Sequence, residues 1–299
     1  MEESTKYMRE HKMKSFVFRN RRMFVFLLIF AVFVTNKEDL CDCLKKCAKN
    51  NAKKASLDLL VFVTSGTNHF DHRQAIRETW GKELFQKNIV CVFLLGKSTN
   101  NSLQNQIEKE DATHKDIVQA NFVDNYKNLT LKTVSMMKWI SIYCSWAEFV
   151  LKTDDDMLIN VEAMMDFISY IRNESRIAIF GKLARGFKPH HEKKSKWFVS
   201  KNMYPHRTYP DFVTGPSYLI QGNITRTLYE TSLEEPYFPL EDVFMTGIIA
   251  SKLNIPLKHQ RSFNTKRNRH MSSSSFRQLI TSHKYSPNEI RLLWSKLQV

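Results

Sequence analysis

Three short stretches of the chain are almost continuously apolar: LDLLVFVTS at 57–65, NIVCVFLLG at 88–96 and AEFVLKT at 147–153. A strand with apolar side chains on both faces must be covered on both sides, as the strands of parallel sheets are. Between these runs the period changes. Residues 71–86 and 129–145 place apolar residues at helical spacing, 101–112 reads as a polar helix, and Asn160 can cap a helix through Tyr170. This β-α-β-α alternation predicts an α/β domain of three layers, α/β/α, around a mostly parallel sheet. Ligands of such sheets sit at the carboxyl ends of the strands. Thr64-Ser65-Gly66 and Asp154-Asp155-Asp156 both occupy that position, and no internal repeat interrupts the pattern.

The second half is less regular. Residues 182–211 mix Lys, His, Trp and Tyr with prolines and read as a long irregular segment over a cleft. PLEDVFMTGIIASKLNIP, 239–256, reads as a helix with acids at its start. HMSSSSF, 270–276, reads as flexible. In YSPNEIRLLWSKL, 285–297, Ser286 is the expected cap, Pro287 the first helical residue and Glu289 the partner of a capping box.

Adjacent carboxylates push one another toward protonation unless a cation lies among them. In an extended chain alternate side chains share a side. Asp154 and Asp156 can therefore converge on one ion while Asp155 points away or bonds to backbone amides. Oxygen ligands suit Mg²⁺ or Mn²⁺. A calcium loop is excluded, because Leu158 and Ile159 stand where Asp or Asn and Gly are needed. Leu158 also excludes the aspartyl-phosphate pattern. An acidic loop that only caps the next helix would need one carboxylate, not three. A divalent ion holding a diphosphate accounts for the run better.

Arg73 and Arg77 lie one helical turn apart just after the first strand. Like charges at that spacing repel unless an anion lies between them, and arginine clamps phosphate at two points. A solvated helix face with Glu78 as local partner explains the pair equally well. Glu241-Asp242 open a helix, where acids are favoured for capping and dipole reasons alone. A carboxylate facing a cleft there could also accept the proton of an attacking hydroxyl. Spacing leaves both readings open.

Lys12, Lys14, Arg19, Arg21 and Arg22 precede the apolar run MFVFLLIFAVFV at 23–34, and no small-x-small cleavage site follows it. Positive charge on the N-terminal side favours a cytoplasmic N-terminus and a lumenal remainder. The expected organisation is a tail at 1–22, an uncleaved signal-anchor at 23–35, a stem at 36–56 and a lumenal domain at 57–299; a cleaved signal peptide is the alternative. Sequons at Asn100, Asn128, Asn173 and Asn223 agree with a secretory compartment. Cys41, Cys43 and Cys47 crowd the stem, where an intermolecular disulfide linking a dimer is expected in an oxidising lumen. They lack histidines at zinc spacing. Cys91 and Cys144 read as buried small hydrophobes. Basic residues exceed acids by 45 to 30, which favours anionic partners. Much of that excess lies in 1–22, in 45–54 and in Lys266-Arg267-Asn268-Arg269, and no nucleic-acid motif accompanies it. No nucleic-acid partner is expected.

RQAIRETWG at 73–81, DNYKNLTLKT at 124–133, FVLKTDDDMLIN at 149–160, the KW…S…YP…YP…G run at 196–215 and EDVFMTG at 241–247 occur in this order. Together these blocks resemble the β1,3-galactosyltransferase family, hexosyltransferases that include β1,3-N-acetylglucosaminyltransferases. The resemblance covers roughly 57–299. It implies a GT-A fold in a single-pass type II Golgi membrane enzyme, which moves a hexose from a UDP-sugar to an acceptor glycan with inversion, using Mn²⁺ (or Mg²⁺). Carried onto this chain, Asp154 and Asp156 match the acids that hold metal and diphosphate, with Asp155 in the same donor-site block. Arg73, Arg77 and Lys132 fall in blocks lining the donor site. Asp242 matches the catalytic base, and His283 a C-terminal histidine that would be a further metal ligand. Val213 and Ile249 stand where family members often carry cysteines, a joint loss that leaves the acceptor side open. The rival reading is a secretory-pathway glycan- or UDP-binding protein of the same fold without turnover.

Overall fold

β1 (Leu57–Thr64) lies inside a seven-stranded sheet of order β3-β2-β1-β4-β7-β6-β8. The computed structural model describes residues 57–297 apart from 88, 174–176 and 269. The expected tail, anchor and stem, with Cys41, Cys43 and Cys47, lie outside the described residues. Among the described residues no helix is long and apolar enough to cross a membrane.

β2 (Val90–Lys97), β3 (Ile117–Val123) and β4 (Ala147–Asp154) join β1 in a parallel block. β7 (Phe212–Gln221) pairs antiparallel with β4, and β6 (Ile179–Ala184) antiparallel with β7; β8 (Leu257–His259) runs parallel to β6. One strand, β7, therefore opposes the other six. The apolar runs are explained by β1 itself. Leu60 and Phe62 belong to one core, Leu59, Val61 and Val63 to the other, because successive side chains leave opposite faces. The first core lies under α4 (Leu129–Tyr143), α6 (Thr225–Glu234) and the 243–249 turns. The second lies under α1 (Phe70–Glu78), α2 (Trp80–Gln86), α5 (Val161–Ile171) and α9 (Pro287–Leu297). The polar α3 (Asn101–His114) buries only Ile107. The three-layer expectation holds.

Four details depart from it. The helix expected over 71–86 breaks at Thr79, whose hydroxyl bonds the Ala75 carbonyl at 2.6 Å. A glycine follows at 81 because a Cβ there would come within 2.6 Å of the Ile76 carbonyl oxygen. β3, β6, β7 and β8 carried no readable strand signal: Gln119 interrupts β3, and Gly215-Pro216 inside β7 reads as a turn. Gln119 is satisfied internally, donating to the Gly96 carbonyl at 2.9 Å. Pro216 falls where the β6–β7 register shifts between Gly181 and Leu183, a bulge that needs no ladder donor.

The third departure is that residues 243–249 form a π-helix, continued by α7 (Ala250–Lys252), in place of a plain α-helix. Thr246 explains the wide turn: its hydroxyl accepts from Val213 N–H at 2.9 Å and lies 2.7 Å from the Asp242 carbonyl oxygen. The fourth is HMSSSSF, which reads as flexible but carries a capped helical turn. Ser272 caps α8 (Ser273–Arg277) and Phe276 is buried beneath it. Asn160 caps as read, its Oδ1 accepting from Ala163 N–H, whereas half of the expected capping box forms: Glu289 accepts from Ser286 N–H at 2.9 Å, and the Ser286 hydroxyl donates to the same carboxylate at 2.8 Å. Val213 and Ile249 are fully buried in the first core; Cys144 is buried as read, Cys91 is only partly buried, and neither is in a disulfide among the described residues.

Candidate active site

The carboxyl ends of β1 and β4 open on a cleft of about 790 Å³ lined by Thr64–His69, Asp154–Asp156, Lys132, Glu241, Asp242 and His283. Register brings the two strand ends together. Thr64 pairs with Asp154 across the sheet, and its hydroxyl donates to Asp154 Oδ1 at 2.7 Å. Asp155 points the other way, as alternation requires. Its Oδ2 accepts from Ser65 Oγ at 2.6 Å and bonds His69 Nδ1 at 2.8 Å. Burial raises the Asp155 carboxyl, but His69 and the Ser65 hydroxyl outweigh it and hold the group below its ordinary value. Asp155 thus braces the β1–α1 loop, with one oxygen fully committed to side chains and not to backbone amides.

Asp154, Asp156 and His283 each offer one ligand atom, all within 4.8 Å of one another. His283 arrives from 127 residues away because β5 (Met157–Ile159) pairs antiparallel with β9 (Thr281–His283), placing Met157 opposite His283. Asp156 Oδ1 is buried without a hydrogen-bond partner, although His283 Nε2 lies 3.1 Å away at ion-pair distance. A buried carboxylate oxygen left unbonded is costly. It suits a cation ligand, and two carboxylates with one imidazole form a donor set for a divalent metal. The other ring nitrogen, Nδ1, faces the Thr265 carbonyl at 3.4 Å, which sets the ring's orientation.

The opposite wall is acidic too. Asp242 Oδ2 accepts from Gly215 N–H and Oδ1 from Val243 N–H, both at 2.9 Å. Burial raises the Asp242 carboxyl, and those two amides only partly restrain it. Asp242 therefore keeps both oxygens oriented at the cleft rim while its basicity is enhanced. Glu241 is more deeply buried. Its Oε2 accepts from Thr133 Oγ1 at 2.9 Å and Tyr218 OH at 3.2 Å. Burial pushes Glu241 up to about 7; Lys152 pulls against this, and Asp242 and Asp154 add to it. Lys152, which sequence reasoning passed over, sits between the walls with its ammonium 2.6 Å from Asp154 Oδ1 and 3.3 Å from Glu241 Oε1. The signal was present: a lysine inside the apolar run FVLKT.

The family model described as Galactosyltransferase matches residues 71–261, from α1 through both walls of the cleft to just beyond β8. This chain belongs to the galactosyltransferase family. It is 34% identical over 255 residues to human β-1,3-galactosyltransferase 1, covering 84% of this chain and 76% of that protein. Mouse β-1,3-galactosyltransferase 2 is 36% identical over 80% of this chain and 58% of its own length. β-1,3-Galactosyltransferase 5 of Pan paniscus is 36% identical over 80% of each. The protein is a hexosyltransferase.

Within this galactosyltransferase-family enzyme the paired arginines do not reach the cleft. Arg73 is fully buried, and its guanidinium grips Glu110 at 2.6–3.0 Å while bonding the Gly66 carbonyl at 2.7 Å. Arg77 bonds Glu110 at 2.7 Å and Asp116 through two bonds of 2.8 Å. The anion expected between them exists, but it is a protein carboxylate and not a phosphate. Glu78, the local alternative, pairs instead with Arg291. Arg73 serves the site indirectly, by holding the Ser65-Gly66 loop. Removing one partner of a buried pair strands the other charge. Glu110→Ala is accordingly expected to cost about 3–5 kcal/mol in denaturant unfolding, whereas Glu78→Ala, half-exposed, should cost under about 1 kcal/mol.

Lys132 does line the cleft. Its ammonium donates to the Ser65 carbonyl at 2.8 Å and pairs with Asp124, which in turn accepts from Gly96 N–H at 2.8 Å. The irregular segment after β6 covers the cleft as expected, contributing Phe187, His190, Lys196, Trp197 and Tyr209. Lys196 lies over the Trp197 ring at 4.6 Å, and Trp197 is 45% exposed beside the half-exposed Tyr126. Of the sequons, Asn100, Asn173 and Asn223 are exposed, whereas Asn128 is half-buried and donates its amide to the Val123 carbonyl at 2.8 Å.

Proposed function

We propose that this enzyme moves galactose from a UDP donor to a hydroxyl of an acceptor glycan in β1,3 linkage, with inversion and with dependence on Mn²⁺ (or Mg²⁺). The observation that carries the reading is that the Asp154-Asp156-His283 cluster and Asp242, a carboxylate whose burial raises its proton affinity, line one cleft. Asp242 accepts the proton of the acceptor hydroxyl as that oxygen bonds to the anomeric carbon and the bond to the diphosphate oxygen breaks. A single displacement inverts the anomeric centre and needs one base. The Gly215 and Val243 amides orient that base, and the burial that raises its proton affinity strengthens it. A divalent ion held by Asp154, Asp156 and His283 would neutralise charge on the departing diphosphate. Tyr126 and Trp197 offer the acceptor a stacking surface. The basic residues before 23–34 and the sequons support a type II membrane protein with its catalytic domain in the lumen, and the family resemblance favours the Golgi.

Incubating the full chain with UDP-galactose, UDP-N-acetylglucosamine and UDP-N-acetylgalactosamine, a panel of acceptor glycans, and either Mn²⁺ or a chelator tests this directly. Galactose transfer that chelation abolishes and Mn²⁺ restores is expected. Undiminished transfer in chelator would overturn the metal dependence. UDP binding without transfer from any donor would make the chain the binding-only protein of its fold.

A further inference from the structure

Two carboxylates, Asp154 and Glu241, converge on one buried ammonium. Lys152 is 3% exposed; two of its N–H donors bond Asp154 Oδ1 and the Gly215 carbonyl, both at 2.6 Å, and Glu241 Oε1 lies 3.3 Å away at ion-pair distance. An ammonium has three donors and no acceptor, and two of the three are spent on the strand ends that frame the cleft.

The identity of the acceptors is what matters. Asp154 belongs to the metal cluster at the end of β4. Gly215 lies in β7, the antiparallel neighbour of β4, and its own N–H donates to Asp242 Oδ2 at 2.9 Å. Glu241 precedes Asp242 and is anchored from behind by Thr133 and Tyr218. Gly215 has no slack. A Cβ there would stand 3.0 Å from Glu241 Oε1 and 3.3 Å from Asp242 Oδ2. One side chain therefore ties the strand that carries the metal-ligand acid to the residue that orients the base.

We infer that Lys152 is a positioning residue that sets the separation between the metal-ligand acid Asp154 and the base Asp242. The inference rests on the roles given to those two residues above. Displacement requires the attacking oxygen and the leaving diphosphate to lie in line across the anomeric carbon, so base and metal cluster must keep their spacing. A misplacement of about 1 Å can cost about 10²-fold in rate. Donor binding, made by many other contacts, depends on that spacing much less.

Lys152→Met removes the strut at nearly constant volume. We expect kcat to fall by about 10²-fold, with donor KM within about 3-fold of wild type. Manganese bound by the full chain, counted from the electron paramagnetic resonance of free Mn²⁺, should show an altered affinity, because Asp154 loses its 2.6 Å partner. A purely structural lysine would lower the melting temperature and leave kcat of the folded fraction unchanged. A folded Lys152→Met with kcat within about 3-fold of wild type, or with its whole loss in KM, overturns the inference. Should Lys152→Met not fold, Lys152→Arg carries the test. A planar guanidinium keeps the charge but cannot place three donors around one point, so kcat should still fall by about 10-fold or more; wild-type kcat in that variant overturns it. Asp242→Asn measured alongside separates two failures. If it remains active, the assigned base is wrong; if it is inactive while Lys152→Met is active, only the strut is wrong.

Discussion

Asp242→Asn is expected to lower sugar transfer by about 10²-fold or more while leaving UDP and Mn²⁺ binding close to normal. A loss of that size corresponds to about 2.7 kcal/mol of transition-state stabilisation. The reason is chemical and not steric. Asparagine keeps the shape and can still accept one of the two backbone bonds now made from Gly215 and Val243. It cannot accept a proton. Because Asp242 also caps the π-helix, the substitution should cost about 1 kcal/mol in stability, and a melting curve distinguishes that loss from the catalytic one. Folded Asp242→Asn with near-normal turnover would reduce the residue to a cap.

Asp156→Asn should behave differently, because it removes a charged ligand and not a proton acceptor. Mn²⁺-dependent UDP binding and transfer should fall together, by about 10²-fold, since a divalent ion at a developing diphosphate is worth several kcal/mol. Stability gives an independent readout. A ligand that binds only the folded state raises the melting temperature by mass action, so Mn²⁺ with UDP should stabilise the wild type and not the variant. In chelator the variant should melt at or above the wild-type temperature. Asp156 Oδ1 has no hydrogen-bond partner, and an amide there relieves the crowding of three adjacent carboxylates. An Asp156→Asn protein that still gains stability from Mn²⁺ would remove Asp156 from the cluster.

The legible parts of this protein were those in which a local pattern has one physical cause. A strand buried on both faces is apolar at every position, so β1, β2 and β4 could be read directly, whereas β3 and β7 hid behind a buried glutamine and a Gly-Pro step that tertiary bonds and a bulge accommodate. Asp154 and Asp156 share a side because strands alternate. The helix cap at Asn160 and the Ser286–Glu289 contact depend on neighbours a few residues away. The arginine pair shows the limit of such reading. The spacing of Arg73 and Arg77 left a phosphate and a solvated face equally open, and that Glu110 fills the place depends on where α3 docks.

By itself, then, the sequence determined the layered α/β class, the acid cluster at a strand end, and, through five ordered blocks, the galactosyltransferase family. Only the tertiary structure decided which groups share the cleft. It set His283 beside Asp156 through a pairing of β5 with β9, folded the serine run into a capped helical turn, turned 243–249 into a π-helix around Thr246, and put Lys152 between two acidic walls. The physical reason is range. Period, capping and alternation act over a few residues and leave their mark on composition, while a hydrogen bond between residues far apart in the chain exists only once the sheet has set its register.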